Sequence, residues 1–224
     1  MKKVFLIGFA AVLFAACSSN TNQVAATEAG EVAQVEETAL TLNIDTQQSG
    51  IEWLGAKFLG KTHNGTINLS GGTVSIEDGK VVAGDFTADM NTIKNLDLPA
   101  EGEYNQEKLE GHLKSDHFFD VAKFPTSTFH ITSVEVVQDD SGNTHKISGN
   151  LTIKGVAKQV TFPAKVDFSE NGFKASATFV INRLDWGVTY DEEGIKNFLD
   201  GVVKKGKDDF VKNELEIKVN LVAH

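Results

Sequence analysis

Apolar and polar residues alternate with a period of two along much of the chain after residue 40. The clearest case lies in residues 160–168, where Val160, Phe162, Ala164 and Val166 are separated by less apolar neighbours. Residues 147–153 and 214–221 repeat the pattern. A single apolar face is typical of antiparallel strands that cover a core on one side. The pattern therefore predicts a domain built mostly from antiparallel strands.

Turn signals and two helical segments complete the expected architecture. Residues 106–115 and the segment from Asp191 to about Lys204 carry helical spacing of apolar residues. Many strands with one or two short helices favour a barrel or a sandwich, and an eight-stranded barrel is wide enough for one small ligand. The turn signals lie at hairpin spacing at Asp78-Gly79, residues 141–143, Lys154-Gly155 and Asn171-Gly172.

The first 17 residues resemble an export signal. Two lysines precede a 13-residue apolar run, residues 4–16. That run is too short for a bilayer of ~30 Å, which takes about 20 helical residues, but it is long enough for a secretory signal. Residues 14–17 (FAAC) are similar to a bacterial lipobox, in which the cysteine is lipidated, although Leu is usual at the position of Phe14. We expect a lipoprotein signal peptide over residues 1–16 and a lipid anchor on Cys17, the alternatives being an ordinary signal cut after Ala16 or a buried helix.

Such an anchor would hold a domain in the bacterial cell envelope, facing the periplasm. Several acyl chains on one cysteine hold a protein stably where a single chain would not. Ser18-Ser19 after the cysteine favours the outer membrane as its location. Residues 17–39 lack aromatic residues and periodicity and read as the lipidated cysteine followed by a flexible tether. Residues 40–222 then form the folded domain.

Charge and chemistry exclude several classes of function. Without Lys2 and Lys3 the basic residues fall from 21 to 19 against 31 acidic ones, a net charge of −12 that argues against a nucleic-acid partner. Cys17 is the only cysteine, so a disulfide framework is excluded. The chain carries no common catalytic or phosphate-binding motif, and its six histidines show no metal-ligand spacing. The positive feature is 15 phenylalanines, which either fill a core or line a dry cavity, with core packing the commoner use.

A resemblance to a known family favours the cavity. Residues 113–121 (LKSDHFFDV), with Lys123-Phe124-Pro125 and Phe129 after them, resemble a stretch of the YceI-like family. Residues 147–156 (ISGNLTIKGV) and 181–187 (INRLDWG) are similar to two later segments of that family. Ile44-Asp45 and residues 49–53 (SGIEW) fit its opening strand. These segments together span nearly the whole of the predicted domain.

The resemblance implies a lipocalin-like, extended, antiparallel eight-stranded β-barrel with a long internal cavity. Members are thought to bind amphiphiles such as polyisoprenoid lipids or fatty amides, and no reaction is established for them. The implied partners are a small lipid ligand and a membrane reached through the anchor, with no cofactor beyond a bound isoprenoid or fatty amphiphile. A homodimer is left open.

The same resemblance, read with the strand pattern, yields candidate site residues. His112, Asn182 and Arg183 are candidates for a lipid head group, although Arg183 is expected more often to bind a carboxylate such as Asp120 structurally. Cys17 is the lipidation site, and no catalytic or metal-binding residue is expected. The expected cavity residues are Trp53, Phe58, Phe86, Leu113, Phe118, Phe119, Phe129, Phe162, Phe179 and Trp186.

Two other functions stay open at this point. An enzyme acting on such a lipid would need a titratable group in the cavity, for which Asp89, Asp116 and His117 are the least implausible residues. A ligand-free interaction module would instead fill the barrel with its own side chains. A lipid-binding protein without enzymatic activity is the leading expectation.

Overall fold

Eight antiparallel strands close into a barrel in the computed structural model, which describes residues 22–58, 60–169, 172–191 and 210–224. Each strand from β3 to β10 pairs with the next, and β10 pairs with β3, so the expected eight-stranded barrel is confirmed for the described residues. The strands are β1 (Thr27–Glu28), β2 (Leu40–Asn43), β3 (Gly50–Lys57), β4 (Thr62–Glu77), β5 (Lys80–Asn95), β6 (Thr126–Val136), β7 (His145–Ile153), β8 (Val156–Ser169), β9 (Gly172–Asn182) and β10 (Val211–Ala223).

Local sequence explains the hairpins. Asp78-Gly79 joins β4 to β5 and Lys154-Gly155 joins β7 to β8, each as a two-residue connection. All four residues have positive φ angles, of 48° and 74° in the first turn and 51° and 75° in the second. Two successive positive φ angles are what a tight turn between twisted strands requires, and glycine adopts them without steric cost.

One helix, α1 (Gln106–Lys114), follows β5 and packs against it. Asn105 caps its start, because the side-chain oxygen accepts a hydrogen bond from Lys108 N at 2.9 Å. Leu113 is the buried residue of the helix. The predicted helix over residues 106–115 is therefore present, whereas the second predicted helix, the signal peptide and Cys17 lie outside the described residues apart from Asp191.

The N-terminal segment forms part of the barrel wall. Strands β8 and β9 pair with each other over only six residue pairs, from Ala164/Ala177 to Ser169/Gly172. Beyond those pairs, residues 22–28 lie between the two strands: Val24 N donates to Val180 O at 2.8 Å, and β1 pairs with β8 through Thr27 and Gln159. Val24 and Ala26 pack partly buried against the core.

The chain then continues along the outside of the barrel. Gly30 and the side chain of Asn150 on β7 exchange two hydrogen bonds, of 2.8 and 2.7 Å, and Asn150 is buried as a result. Ala33 N donates to Ile131 O on β6 at 3.1 Å. Residues 22–39 therefore differ from the flexible tether expected for them. Most hydrogen bonds between this segment and the barrel use main-chain atoms of the segment. Amino-acid composition therefore could not indicate that the segment packs on the barrel.

A short 3-10 helix, Arg183–Trp186, follows β9. It lies against β8 and β10. The indole of Trp186 donates to Leu151 O on β7 at 2.9 Å, and the residue is 1% exposed. Trp186 therefore fills the wall near the place where β8 and β9 diverge.

Candidate ligand-binding cavity

The interior of the barrel encloses a cavity of about 930 Å³. Inward-facing side chains of β3 to β10 form its wall, as the alternation along those strands requires. The apolar series on β10, Leu215, Ile217, Val219 and Leu221, lines it throughout. The volume is at the upper end of the range of about 300–1,000 Å³ that is usual for small-molecule sites.

A row of phenylalanine rings crosses one side of the cavity. This phenylalanine row consists of Phe86, Phe129, Phe162 and Phe179, whose successive ring centroids lie 6.4, 5.5 and 4.2 Å apart. The last two rings are stacked, with an interplanar angle of 4°. Gly149 on β7 makes room for the row, because a Cβ atom there would lie 2.2 Å from Cζ of Phe129. The row gives the cavity a continuous apolar surface without polar atoms.

The two ends of the cavity differ. At the closed end the lining residues are apolar and at most 6% exposed, namely Val74, Val81, Ile131, Ile147 and Phe173. At the other end, called the mouth below, β3 and β5 end, β10 begins and α1 approaches. The lining there includes charged or polar residues, most of them exposed: Lys57, Lys61, Glu103, Tyr104, Lys108, Lys212 and Glu214. The cavity therefore presents an apolar interior and a polar opening, an arrangement suited to an amphiphile.

Eight of the ten predicted cavity residues line this space. The two others lie elsewhere. Phe58 follows the end of β3, is 43% exposed and does not line the cavity. Trp186 belongs to the 3-10 helix and is buried in the wall. The lining residues are Trp53, Phe86, Leu113, Phe118, Phe119, Phe129, Phe162 and Phe179.

Arg183 borders the cavity, but its guanidinium group binds main-chain carbonyls. Its Nη2 donates to Tyr190 O at 2.6 Å and its Nε to Lys212 O at 3.2 Å, and Nη1 donates to Val188 O. Further bonds from Nη2 reach Val211 O and Asn213 Oδ1. The side chain is only 2% exposed. This arrangement favours a structural role for Arg183 over recognition of a head group. In that role Arg183 binds main-chain carbonyls, whereas the sequence predicts a carboxylate such as Asp120.

His112 is the better placed of the two remaining head-group candidates. It lines the cavity near the mouth, with its ring edge-on to Tyr190 at a centroid distance of 4.6 Å. Burial lowers the pKa of His112, and the charge of the neighbouring His117 lowers this pKa further. The charge of Asp191 raises it. Asn182, in contrast, caps the 3-10 helix by accepting from Leu184 N at 3.1 Å and does not line the cavity.

The residues named for an enzyme lie away from the cavity. Asp89 accepts hydrogen bonds from Asn91 on the surface, and Asp116 and His117 form an exposed pair 3.9 Å apart. None of the three lines the cavity. Within the described ranges, no three His, Cys, Asp or Glu side chains group as metal ligands would. The same ranges contain no helix whose length and apolarity would let it cross a membrane.

Sequence reasoning missed several residues of the mouth. Tyr104 and Lys108 lie in or beside α1, and Tyr190 follows the 3-10 helix. Neither segment carries a strand pattern, so the alternation rule could not assign these residues. The period of two in β10 identifies its inward residues, although the cavity residues predicted in strands are all aromatic.

Comparisons with known proteins agree with the barrel. A family model described as a YceI-like domain matches residues 42–223. The YceI protein of Salmonella agona is 32% identical over 167 residues, which cover 74% of this chain and 73% of that protein. A UPF0312 protein of Enterobacter sp. strain 638 is 32% identical over 158 residues, 67% of this chain and 71% of that protein. A UPF0312 protein of Pseudomonas paraeruginosa is 37% identical, but the match spans 47% of its length.

Two solved structures share the fold at low sequence identity. BcnA of Burkholderia cenocepacia superposes with a TM-score of 0.59 at 21% identity, covering 81% of this chain and 99% of that one. A polyisoprenoid binding domain from Saccharophagus degradans, implicated in plant cell wall breakdown, superposes with a TM-score of 0.55 at 12% identity, covering 87% and 99%. At these identities the likeness concerns the fold alone.

Proposed function

Because this chain belongs to the family of YceI-like domains, we propose that its barrel binds a long-chain, isoprenoid-like amphiphile and serves as a lipid carrier or store. The observation that carries the proposal is the apolar cavity with a closed end and a polar mouth. An apolar chain would lie along the phenylalanine row, and its polar end would remain at the mouth. The polyisoprenoid-binding function of the Saccharophagus domain, which shares the fold, supports the same ligand class.

The cavity volume sets the size of the ligand. If each water-sized group takes about 30 Å³, a volume of about 930 Å³ accommodates roughly 30 heavy atoms. That number corresponds to about six five-carbon isoprene units. At ~0.3 kcal/mol of favourable binding free energy per heavy atom, such a ligand would gain roughly 9 kcal/mol on binding. That free energy corresponds to a sub-micromolar dissociation constant.

The proposal also includes a cellular location. Residues 1–16 act as a lipoprotein signal peptide, and Cys17 anchors the mature chain to a membrane of the bacterial cell envelope, with the outer membrane preferred and the domain facing the periplasm. The short apolar run and the lipobox-like residues 14–17 support this part. A lipid of this kind dissolves poorly in water. A carrier anchored to the membrane would lie directly beside the source of that lipid.

A filled interaction module is less well supported. Its barrel would be packed by its own side chains, whereas the barrel here leaves room for a ligand. For an enzyme, the three residues that the sequence suggests, Asp89, Asp116 and His117, lie outside the cavity.

A chain-length series tests the proposal. Delipidated protein is titrated with prenyl alcohols and prenyl phosphates of increasing length, and the dissociation constant is measured for each. We expect about a tenfold gain in affinity per isoprene unit, worked from ~1.5 kcal/mol for five heavy atoms, and a plateau near about six units, where the cavity is full. Affinity that does not depend on chain length, or no binding at any length, would contradict the proposal.

A further inference from the structure

The cavity wall contains a hydrogen-bond donor that has no acceptor among the described residues. Trp53 on β3 is 8% exposed and lines the cavity. Its indole Nε1 is buried, and no described residue accepts a hydrogen bond from it. Trp186, the other tryptophan of the chain, differs, because its Nε1 donates to Leu151 O at 2.9 Å. Since a buried N–H is unfavourable without an acceptor, the indole of Trp53 is suited to bind an oxygen atom of a ligand.

The barrel wall holds this indole in a fixed position. Trp53 on β3 is paired with Gly65 on β4. A Cβ atom at Gly65 would lie 2.5 Å from Cζ2 and 2.7 Å from Cε2 of Trp53, so glycine is what leaves room for the ring. Nε1 is bonded to Cε2 and is therefore held in place with it. A donor that is already positioned loses little conformational freedom when a ligand binds.

The lining residues beside the indole are mostly apolar. Ile217 on β10 is paired with Trp53 on its other side, and Ile51 lies two residues before it on β3; both line the cavity. His63 on β4 also lines the cavity, but its Nδ1 is hydrogen-bonded to Asp97 Oδ2 at 2.8 Å. An oxygen that reaches the indole N–H from inside the barrel would therefore enter apolar surroundings.

These surroundings favour a neutral carbonyl oxygen over a phosphate or a hydroxyl group. Lys57, the lysine of β3, follows Trp53 by four residues, which is about 13 Å along the strand. An ionised phosphate beside the indole would be buried in apolar surroundings, which is costly without a counter-charge. A hydroxyl group would bring a hydrogen that needs an acceptor of its own, whereas a carbonyl only accepts.

The position of Trp53 along the barrel suits the polar end of a lipid. Its partner Gly65 is the fourth residue of β4, which begins at the mouth, and 12 further residues, 66–77, run toward the closed end. An apolar chain attached to the carbonyl therefore has most of the cavity length available to it. Any further polar atoms of the ligand would lie on the mouth side of Trp53.

We propose that Trp53 Nε1 donates a hydrogen bond to a neutral carbonyl oxygen at the polar end of the bound amphiphile. The cavity then binds lipids that carry such a carbonyl with a preference that it owes to Trp53. This inference rests on the proposed lipid cavity and adds to it the chemical class of the ligand's polar end.

A comparison of two matched ligands tests the hydrogen bond. The ligands are farnesylacetone, which is a prenyl ketone, and the hydrocarbon in which a methylene group replaces its carbonyl. Their dissociation constants are measured on delipidated wild type, Trp53→Phe and the matched control Trp186→Phe by displacement of a fluorescent fatty acid. We expect Trp53→Phe to reduce the affinity for the ketone relative to the hydrocarbon about 3- to 10-fold, because the donor is lost while the ratio cancels the change in cavity shape. Trp186→Phe should leave this ratio unchanged, and an unchanged ratio in Trp53→Phe would overturn the proposal.

Proton NMR of the wild type tests the same bond without relying on the folding of a variant. The chain has two tryptophans, so its spectrum contains two indole N–H signals. The signal of Trp53 is identified by its nuclear Overhauser contacts with the ligand. The ketone should move this signal downfield, whereas the hydrocarbon, which fills the same space, should not. Equal effects of the two ligands on the Trp53 signal would overturn the proposal.

The outcomes separate this inference from the proposed function. If both ligands bind but neither the affinity ratio nor the Trp53 signal distinguishes them, the lipid cavity stands and the carbonyl site fails. If neither ligand binds, the proposed function fails and the inference fails with it.

Discussion

Replacing Arg183 separates its structural role from recognition of a head group. The guanidinium group binds carbonyls on both sides of residues 192–209, since Val188 and Tyr190 precede that segment and Lys212 and Val211 follow it. A hydrogen bond from a charged group contributes about 1.5–3 kcal/mol, and a carbonyl left buried without a partner costs about 1–3 kcal/mol. Because these bonds share one side chain, they do not add fully. We expect Arg183→Met to lower the free energy of unfolding by about 3–5 kcal/mol.

The assay is urea unfolding of the wild type, Arg183→Met and Arg183→Lys. For each protein, the dependence of the free energy of unfolding on urea concentration is measured as well. Lysine keeps the charge but loses the planar fork that reaches several carbonyls at once, so Arg183→Lys should be intermediate. The affinity for a prenyl phosphate is measured on the folded variants. A loss of stability below about 1 kcal/mol in Arg183→Met, together with weakened binding of the phosphate but not of the alcohol, would refute the structural role and restore the head-group role.

Three further predictions concern packing, docking and pH. Gly149→Ala should destabilise the barrel by about 1–3 kcal/mol, because the new Cβ would lie 2.2 Å from a ring of the phenylalanine row. Gly71 has open space around it, so the control Gly71→Ala should change the free energy of unfolding by less than about 1 kcal/mol. Urea unfolding measures both. Asn150→Ala removes both hydrogen bonds to Gly30 and should speed amide exchange of residues 22–36, with a loss of about 1–3 kcal/mol; unchanged exchange would contradict the docking. Burial lowers the pKa of His112, so the unfolded chain binds a proton near pH ~6.5 while the folded chain does not. Stability should therefore fall as the pH drops below about 6.5, and His112→Asn should weaken that fall, which thermal melts across pH 5 to 7 would reveal.

Periodicity made the barrel predictable from sequence. The alternating residues of β8 and β10 indicated which side chains face inward, and the structure places Phe162, Ala164 and Leu215 accordingly. The turns at Asp78-Gly79 and Lys154-Gly155 were predictable because few residue pairs adopt two positive φ angles. Family resemblance supplied the closure into a barrel, which a period of two cannot distinguish from a sandwich.

Contacts between distant parts of the chain were not predictable. Residues 22–36 bind β9, β8, β7 and β6 largely through their own main-chain atoms, which leave no pattern in the side chains. Trp186 was assigned to the cavity because it is aromatic and lies near a strand, but the chain turns into a 3-10 helix at Arg183. The position of Phe58 depended on where β3 ends, and element ends are poorly encoded in local sequence.

Native mass spectrometry of protein purified from the bacterial periplasm without detergent tests the lipid cavity most directly. Organic extraction then identifies any added mass. Ala177→Phe, which narrows the cavity, is compared with Lys174→Phe, an exposed position on the same strand. The account predicts a discrete extractable lipid with isoprenoid-like chains in the wild type and in Lys174→Phe, and its loss or shortening in Ala177→Phe. A bare protein mass in all three, with no thermal shift on adding prenyl lipids or fatty amides, would contradict it.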